Sequence, residues 1–347
     1  MQIIVQLLQR QEQAASFLAS LLWQRWTNRF PTNYNLGRLL YCSTRNRRKY
    51  VRIHVIGVPM DLGADRRGVD IGTSAIRYAD LNLRLRSLGH HVQDMGNLVV
   101  PQPESQPLGN PKLKYLEPIV RVSEELATIT TTILQDGEFP LVLGGDHSIA
   151  LGSVSGIASV HKNIGVLWID AHADFNTDQT TPTGNIHGMI LASLAGLGHS
   201  SLANIGGWSP KIHKETIVIV GARDIDRSEQ ELLRTHSVHV FTMSEIDQLG
   251  ITNVMQQALT IASQNNDGIH LSLDMDALDP KEAPGVGTPV RGGLTYREAH
   301  LAMELIAVSS KLVSMDVVEV NPILDRENAT ALLAVELVLS ALGKKIL

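Results

Sequence analysis

The chain of 347 residues carries a single cysteine, Cys42. That excludes an intramolecular disulfide and any cysteine-rich metal site, so a bound metal would need histidine and carboxylate ligands. No run of 18 apolar residues occurs, and nothing spans a membrane as a helix. Positive charge is not in excess either. The net charge of −5 argues against a general nucleic-acid binder. Internal repeats and interdomain linkers are also missing. With 44% hydrophobic residues, the chain can bury a large core in one α/β domain.

Residues 1–50 stand apart from this. They hold eight basic residues (Arg10, Arg25, Arg29, Arg38, Arg45, Arg47, Arg48 and Lys49) against one acid, Glu12, a net of +7 that leaves −12 for the rest. Gln2 to Trp26 could form an amphipathic helix. An Arg-rich, acid-poor leader reads as an organelle-targeting peptide, a peripheral docking helix or a misassigned upstream start. The expected place of this basic extension is outside the core fold, peripheral or partly disordered. It lacks the layout of a secretory leader, and a cytoplasmic location is expected unless the segment directs the chain to an organelle.

From Val51 onward, strand and helix patterns alternate. Strands are predicted at Val51–Pro59, His91–Gly96, Phe139–Leu143, Gly165–Ile169, Thr216–Val220, Val238–Phe241, Ile269–Leu273 and Leu312–Val317. Helices are predicted at Ser74–Leu88, Tyr115–Gln135, Ile149–Val160, Asn253–Ala262, Tyr296–Ser309 and Asn328–Leu342, with Pro101–Pro111 a surface loop. This alternation implies parallel strands joined by right-handed helical crossovers. Ligands of such sheets bind at the carboxyl ends of the strands.

The charged clusters fall at those ends. Asp170-Ala171-His172-Ala173-Asp174 follows the apolar run Gly165–Ile169 and alternates two carboxylates with an imidazole. In an extended chain, alternate residues share a side, so the three can converge. His147 lies in Gly144-Gly145-Asp146-His147-Ser148, where paired glycines suggest a tight turn. Asp274 and Asp276 repeat the alternation after Ile269–Leu273. Alone, His147 would read as a core histidine and the Asp274/Asp276 pair as capping residues. Together they make four carboxylates and two imidazoles. Burying four like charges is prohibitive unless cations neutralise them. Two divalent ions would balance them, and a mixed oxygen/nitrogen set suits Mn²⁺ better than Zn²⁺. Such a pair lowers the pKa of a shared water.

Gly144–Ser148, Asp170–Asp174, Gly184-Asn185-Ile186-His187-Gly188 and Ser272–Pro280 resemble the ureohydrolase superfamily, the arginases and agmatinases, over essentially all of residues 51–347. The resemblance implies a three-layer α/β/α sandwich around an eight-stranded parallel sheet, a binuclear Mn²⁺ centre and guanidino hydrolysis to urea. It implies that His147, Asp170, Asp174 and Asp274 hold one ion. Asp170, His172, Asp274 and Asp276 would hold the other. It further implies a homo-oligomer, trimeric or hexameric.

Within that superfamily, Asn176–His187, Arg223–Glu229 and Gly285–Glu298 are more similar to arginases, particularly bacterial ones. By this resemblance Asn176 and Thr183 would meet the substrate α-carboxylate, with threonine where serine is more usual. Asp226 and Glu229 would accept from the α-ammonium, although acids there also suit a helix N-terminus. Asn185 and Thr288 would complete the substrate shell. Glu319 would grip the guanidinium, which matches a carboxylate as a planar pair of charge-assisted hydrogen bonds. His187 and Asp174 would carry protons, imidazole being suited by its near-neutral pKa. L-Arginine is the expected substrate. The alternatives are agmatine, guanidine or a guanidino acid, a non-catalytic metal-binding homologue, and a single-zinc deacetylase of similar architecture.

Overall fold

The computed structural model describes residues 51–345, so the basic extension and its candidate helix lie outside the described residues. All eight expected strands are present, with ends shifted by a residue or two. They are β1 (Arg52–Val58), β2 (His91–Asn97), β3 (Phe139–Gly144), β4 (Ile164–Ile169), β5 (Ile217–Ala222), β6 (His239–Thr242), β7 (Gly268–Asp274) and β8 (Leu312–Val318). They form one sheet in the order β2-β1-β3-β8-β7-β4-β5-β6. Every neighbouring pair is parallel.

Helices cover both faces, giving three layers. On β4, Leu167 and Ile169 enter one core with the helices Gly72–Tyr78, Ile251–Ala262, Tyr296–Ser309 and Ala329–Ala341. Val166 and Trp168 enter the other, with Leu116–Gln135 and Ala150–Val160. A strand buried on both faces needs apolar residues at successive positions, which is why these runs do not alternate. Val166, Leu167, Trp168 and Ile169 are wholly buried. At about 1.5–3 kcal/mol per large apolar side chain, this anchors the strand end that carries Asp170.

Three expectations need correction. The single helix over Ser74–Leu88 is two, Gly72–Tyr78 and Leu81–Ser87, broken at Asp80 in the left-handed region (φ 61°). Ile76 and Leu85 would point to opposite sides of one straight helix, since nine steps of 100° end half a turn out of phase. The break returns both to the same core and leaves Leu83 exposed. The Pro101–Pro111 loop contains a short 3₁₀ turn, Pro103–Ser105, and one arm of the hairpin pairing Gly109–Asn110 with Leu113–Lys114. Arg227–Thr235 and Met243–Leu249 are short helices absent from the expected set, although each opens on a capping pattern, Asp226-x-x-Glu229 and Thr242-x-x-Glu245. Among the described residues, no helix is long and apolar enough to cross a membrane.

Candidate metal centre

Strands β3, β8, β7, β4 and β5 are consecutive across the sheet, and their carboxyl ends carry the candidate residues side by side. His147 follows β3, Asp170–Asp174 follow β4, and Asp274 closes β7 with Asp276 just beyond. Glu319 follows β8, whose Val318 is in register with Asp274. The glycines before His147 have a different cause from the one expected. Neither Gly144 nor Gly145 has a positive φ. A Cβ on Gly145 would lie 1.8 Å from the Met60 carbonyl oxygen, so close approach to the β1 loop demands glycine.

The structure brings all six candidate ligands together. His147 Nδ1 lies 3.2 Å from one carboxylate oxygen each of Asp170, Asp174 and Asp274. His172 Nδ1 lies 3.4 Å from Asp170 and 3.1 Å from Asp276. Two groups with metal-ligand spacing result, His147–Asp170–Asp274 and Asp170–His172–Asp276, sharing Asp170. Asp174 approaches the first through His147.

These residues fit cations. His147 Nδ1 is buried with three carboxylate oxygens around it, yet makes no properly aligned hydrogen bond. Burial pushes the Asp274 carboxyl well above the usual carboxylate range, and the charges of Asp276 and Asp170 push it further. Burial opposes a charged His147, but the carboxylates of Asp170, Asp174 and Asp274 crowded around it outweigh this and raise the ring well above ordinary imidazole. Supporting contacts hold the ligands in place: Trp168 Nε1 donates to Asp170 at 2.9 Å, and the Trp168 ring stacks on His147 at 3.9 Å. His147 Nε2 is 2.7 Å from Ser272 Oγ, the outer hydrogen bond that orients a ligating histidine. Thr288 Oγ1 donates to Asp276 at 2.9 Å.

A cavity of about 500 Å³ opens beside the cluster, with His172, Asn185, His187, Thr288 and Glu319 in its wall. Glu319 and Asp174 both have left-handed backbones, φ 64° and 48°. Such strain in non-glycine residues gathers at functional sites. Glu319 Oε1 accepts from His147 N at 3.0 Å and pairs with His187 Nδ1 at 3.2 Å. Its Oε2 is buried and without a partner. Burial disfavours charge on His187, but Glu319 and then Asp174 and Asp146 raise its pKa to about 9.

Comparison with known proteins decides the family. The Arginase family model matches residues 51–343. The chain belongs to the arginase family. An arginase of Brevibacillus brevis is 54% identical over 293 residues, 84% of this chain and 98% of that one. An arginase of Bacillus subtilis strain 168 is 51% identical over 295 residues, covering 85% and 99%. The crystal structure of Bacillus caldovelox arginase superposes with a TM-score of 0.84 at 49% identity, covering 86% of this chain and all of that one. The eight-stranded α/β/α fold is that of the arginase family.

Not every expected arginase-type substrate residue reaches the cavity. Asp226 caps the Arg227–Thr235 helix, accepting from Ser228 N and Glu229 N at 2.9 and 3.1 Å, and also accepts from Asn176 Nδ2 at 2.7 Å. Glu229 is buried and accepts from Phe175 N at 2.8 Å; burial raises its pKa to about 8. Thr183 Oγ1 accepts from Asn185 N at 3.1 Å. Among the expected shell, Asn185, Thr288 and Glu319 line the cavity, while Asn176, Thr183, Asp226 and Glu229 are outside its lining, Thr183 on the exposed surface. The sequence reading missed Arg66 and Lys114. Arg66 is in the wall and donates to Gly287 O at 3.0 Å. Lys114 donates to Asn185 Oδ1 at 2.9 Å and Asp65 at 2.7 Å. Lone cations in a loop and a hairpin carry no pattern that could have marked them.

Proposed function

We propose that this protein is an arginase, hydrolysing the guanidino group of L-arginine to L-ornithine and urea at two Mn²⁺ ions. Glu319 Oε2 is the observation that carries the reading. A buried carboxylate oxygen without a partner among the described residues, beside six metal-type ligands, asks for a cationic donor, and a guanidinium N–H supplies it as a charge-assisted hydrogen bond. When bound, the two divalent ions supply the offsetting charge and a water acidic enough to attack at neutral pH.

The chain's own residues do the rest. Glu319 keeps Oε1 tied to His147 N and His187, leaving Oε2 to hold the guanidinium carbon in place. Asp174 takes the proton that the attacking water releases. The C–N bond to the side-chain nitrogen breaks, that nitrogen receives a proton by way of Asp174 and His187, and urea and ornithine leave. His187 pairs with Glu319, whose carboxylate raises the imidazole pKa to about 9 and so suits it to donate a proton.

Asn176, Thr183 and Asn185 would serve the α-carboxylate, Asp226 and Glu229 the α-ammonium, and Thr288 the cavity wall. Agmatine, which lacks the carboxylate, would leave such donors unpaired at a cost. Arginase names among relatives near 50% identity support the same choice. In this reading catalysis belongs to residues 51–347, residues 1–50 are a peripheral extension, and the protein assembles as a trimer or hexamer. The test is urea release from arginine, agmatine and guanidine, side by side, by Mn²⁺-loaded protein. Strong preference for arginine is expected; preference for another substrate, or no urea, overturns the assignment.

A further inference from the structure

Arg223 is the first residue past β5, and it joins three loops that meet at the metal centre. Its backbone N–H donates to Ala171 O at 2.8 Å, between Asp170 and His172. Its guanidinium donates to the carbonyls of Asp276 at 2.7 Å, Val290 at 2.8 Å, Ala277 at 3.0 Å, and Leu278 and Gly221 at 3.2 Å. Gly293 makes room: a Cβ there would lie 2.5 Å from Arg223 Nη2. Of these carbonyls, Asp276 O, Leu278 O and Val290 O lie beyond the sheet, where a donor from the guanidinium offsets a cost comparable to a lost hydrogen bond each. Among the described residues Arg223 forms no ion pair, so its donors are committed to backbone. A planar fork of five N–H groups is the side chain suited to this.

All three loops serve one half of the centre. Asp276 and His172 belong to the Asp170–His172–Asp276 group alone, and Thr288, two residues before Val290, donates to Asp276. His147, by contrast, is held by Ser272 and Trp168, both inside strands. We infer that Arg223 is a positioning residue for the Asp170–His172–Asp276 half, whose ion binds more weakly when the guanidinium is removed while the His147–Asp170–Asp274 half keeps its affinity.

This rests on the two-ion reading above. The test is Mn²⁺ titration by calorimetry, with metal content after gel filtration and EPR of the loaded protein, on wild type, Arg223→Met and Arg223→Lys. Wild type is expected to bind two ions. Arg223→Met should hold one ion at wild-type affinity and the second at least about 10-fold more weakly, with EPR passing from a coupled pair to an isolated ion. Arg223→Lys offers fewer donors and should fall between; it carries the test if Arg223→Met does not fold. Two ions at undiminished affinity, or equal weakening of both, overturn the inference alone. Fewer than two ions in wild type overturn the two-ion reading and the inference with it.

Discussion

The two halves of the metal centre are built by different means. The His147 half grows out of regular structure. Its imidazole is buried, stacked on one strand residue and hydrogen-bonded to another, and both strands are locked by apolar packing on two faces. The His172 half hangs from loops. His172 keeps 26% of its side-chain surface exposed, and Asp276 is fixed by Thr288 and by the carbonyl network of Arg223. A ligand held by a packed strand inherits the rigidity of the core. One held by loops depends on polar cross-links, any of which can be cut by one substitution without unfolding the sheet. The loop-built half is the one expected to be tunable.

Substitutions separate the halves. The largest effect is expected from Glu319→Gln, which keeps the shape but replaces the charge that meets the guanidinium. Loss of a charge-assisted pair of ~3 kcal/mol corresponds to at least about 100-fold in kcat/KM. Metal analysis should still find both ions, and equal activity at full loading would remove Glu319 from its role. Next, Ser272→Ala leaves His147 Nε2 buried without its partner. A cost of ~1–3 kcal/mol should weaken the strand-held ion by about 10-fold, read by Mn²⁺ titration. Thr288→Val, cutting the contact to Asp276, should weaken the other ion by only a few-fold, since Arg223 still holds the loop. If the loop-held ion proves the less disturbed by its own substitution only because it also binds tighter in wild type, the contrast between the halves breaks down.

Smaller effects are expected away from the ligands. Asp226→Ala removes a helix cap worth about 1 kcal/mol and should lower the melting temperature slightly. It should also reduce the preference for arginine over agmatine; an unchanged ratio of the two kcat/KM values would leave Asp226 with capping alone. The last concerns Lys211, a buried residue outside both halves. It donates to Ala203 O at 2.9 Å and lies over the Trp208 ring at 4.7 Å. Burial lowers its pKa to about 8 from 10.5. Between pH 8 and 10.5 the unfolded chain binds the extra proton, so the folded state gains stability as pH rises and bears the full cost of the buried charge below pH 8. Metal-free wild type should therefore gain stability relative to Lys211→Met across that window, and parallel melting curves would refute it.

Much of this site was readable before folding. The ligand triplet Asp170–His172–Asp174 and the pair Asp274/Asp276 follow from alternation after an apolar run, because strand geometry turns spacing into direction. His147 needed the resemblance to be separated from an ordinary core histidine. The substrate shell was less readable. Asp226 is where the pattern placed it, yet its carboxylate caps a helix and meets Asn176. Glu229 turns inward to Phe175 N rather than toward the cavity. Both choices depend on how the short Arg227–Thr235 helix packs against Phe175 and Asn176, residues some fifty positions earlier in the chain. The break at Asp80 was hidden for the opposite reason: apolar spacing continues through it, and only the phase at which Ile76 and Leu85 meet one core exposes it.

The amino-acid sequence by itself determined the eight strands, the chemistry of six candidate ligands at their ends and the need for positive charge among them. Those properties are local, fixed by side-chain type and a period of two residues. The tertiary structure alone decided that Asp170 is shared between two groups, that Glu319 keeps one oxygen free, and that Arg223 joins three loops, one through its backbone N–H and two through its guanidinium. Each joins residues dozens to more than a hundred positions apart. Such contacts follow from the order in which parallel strands lie beside one another, which no local spacing encodes.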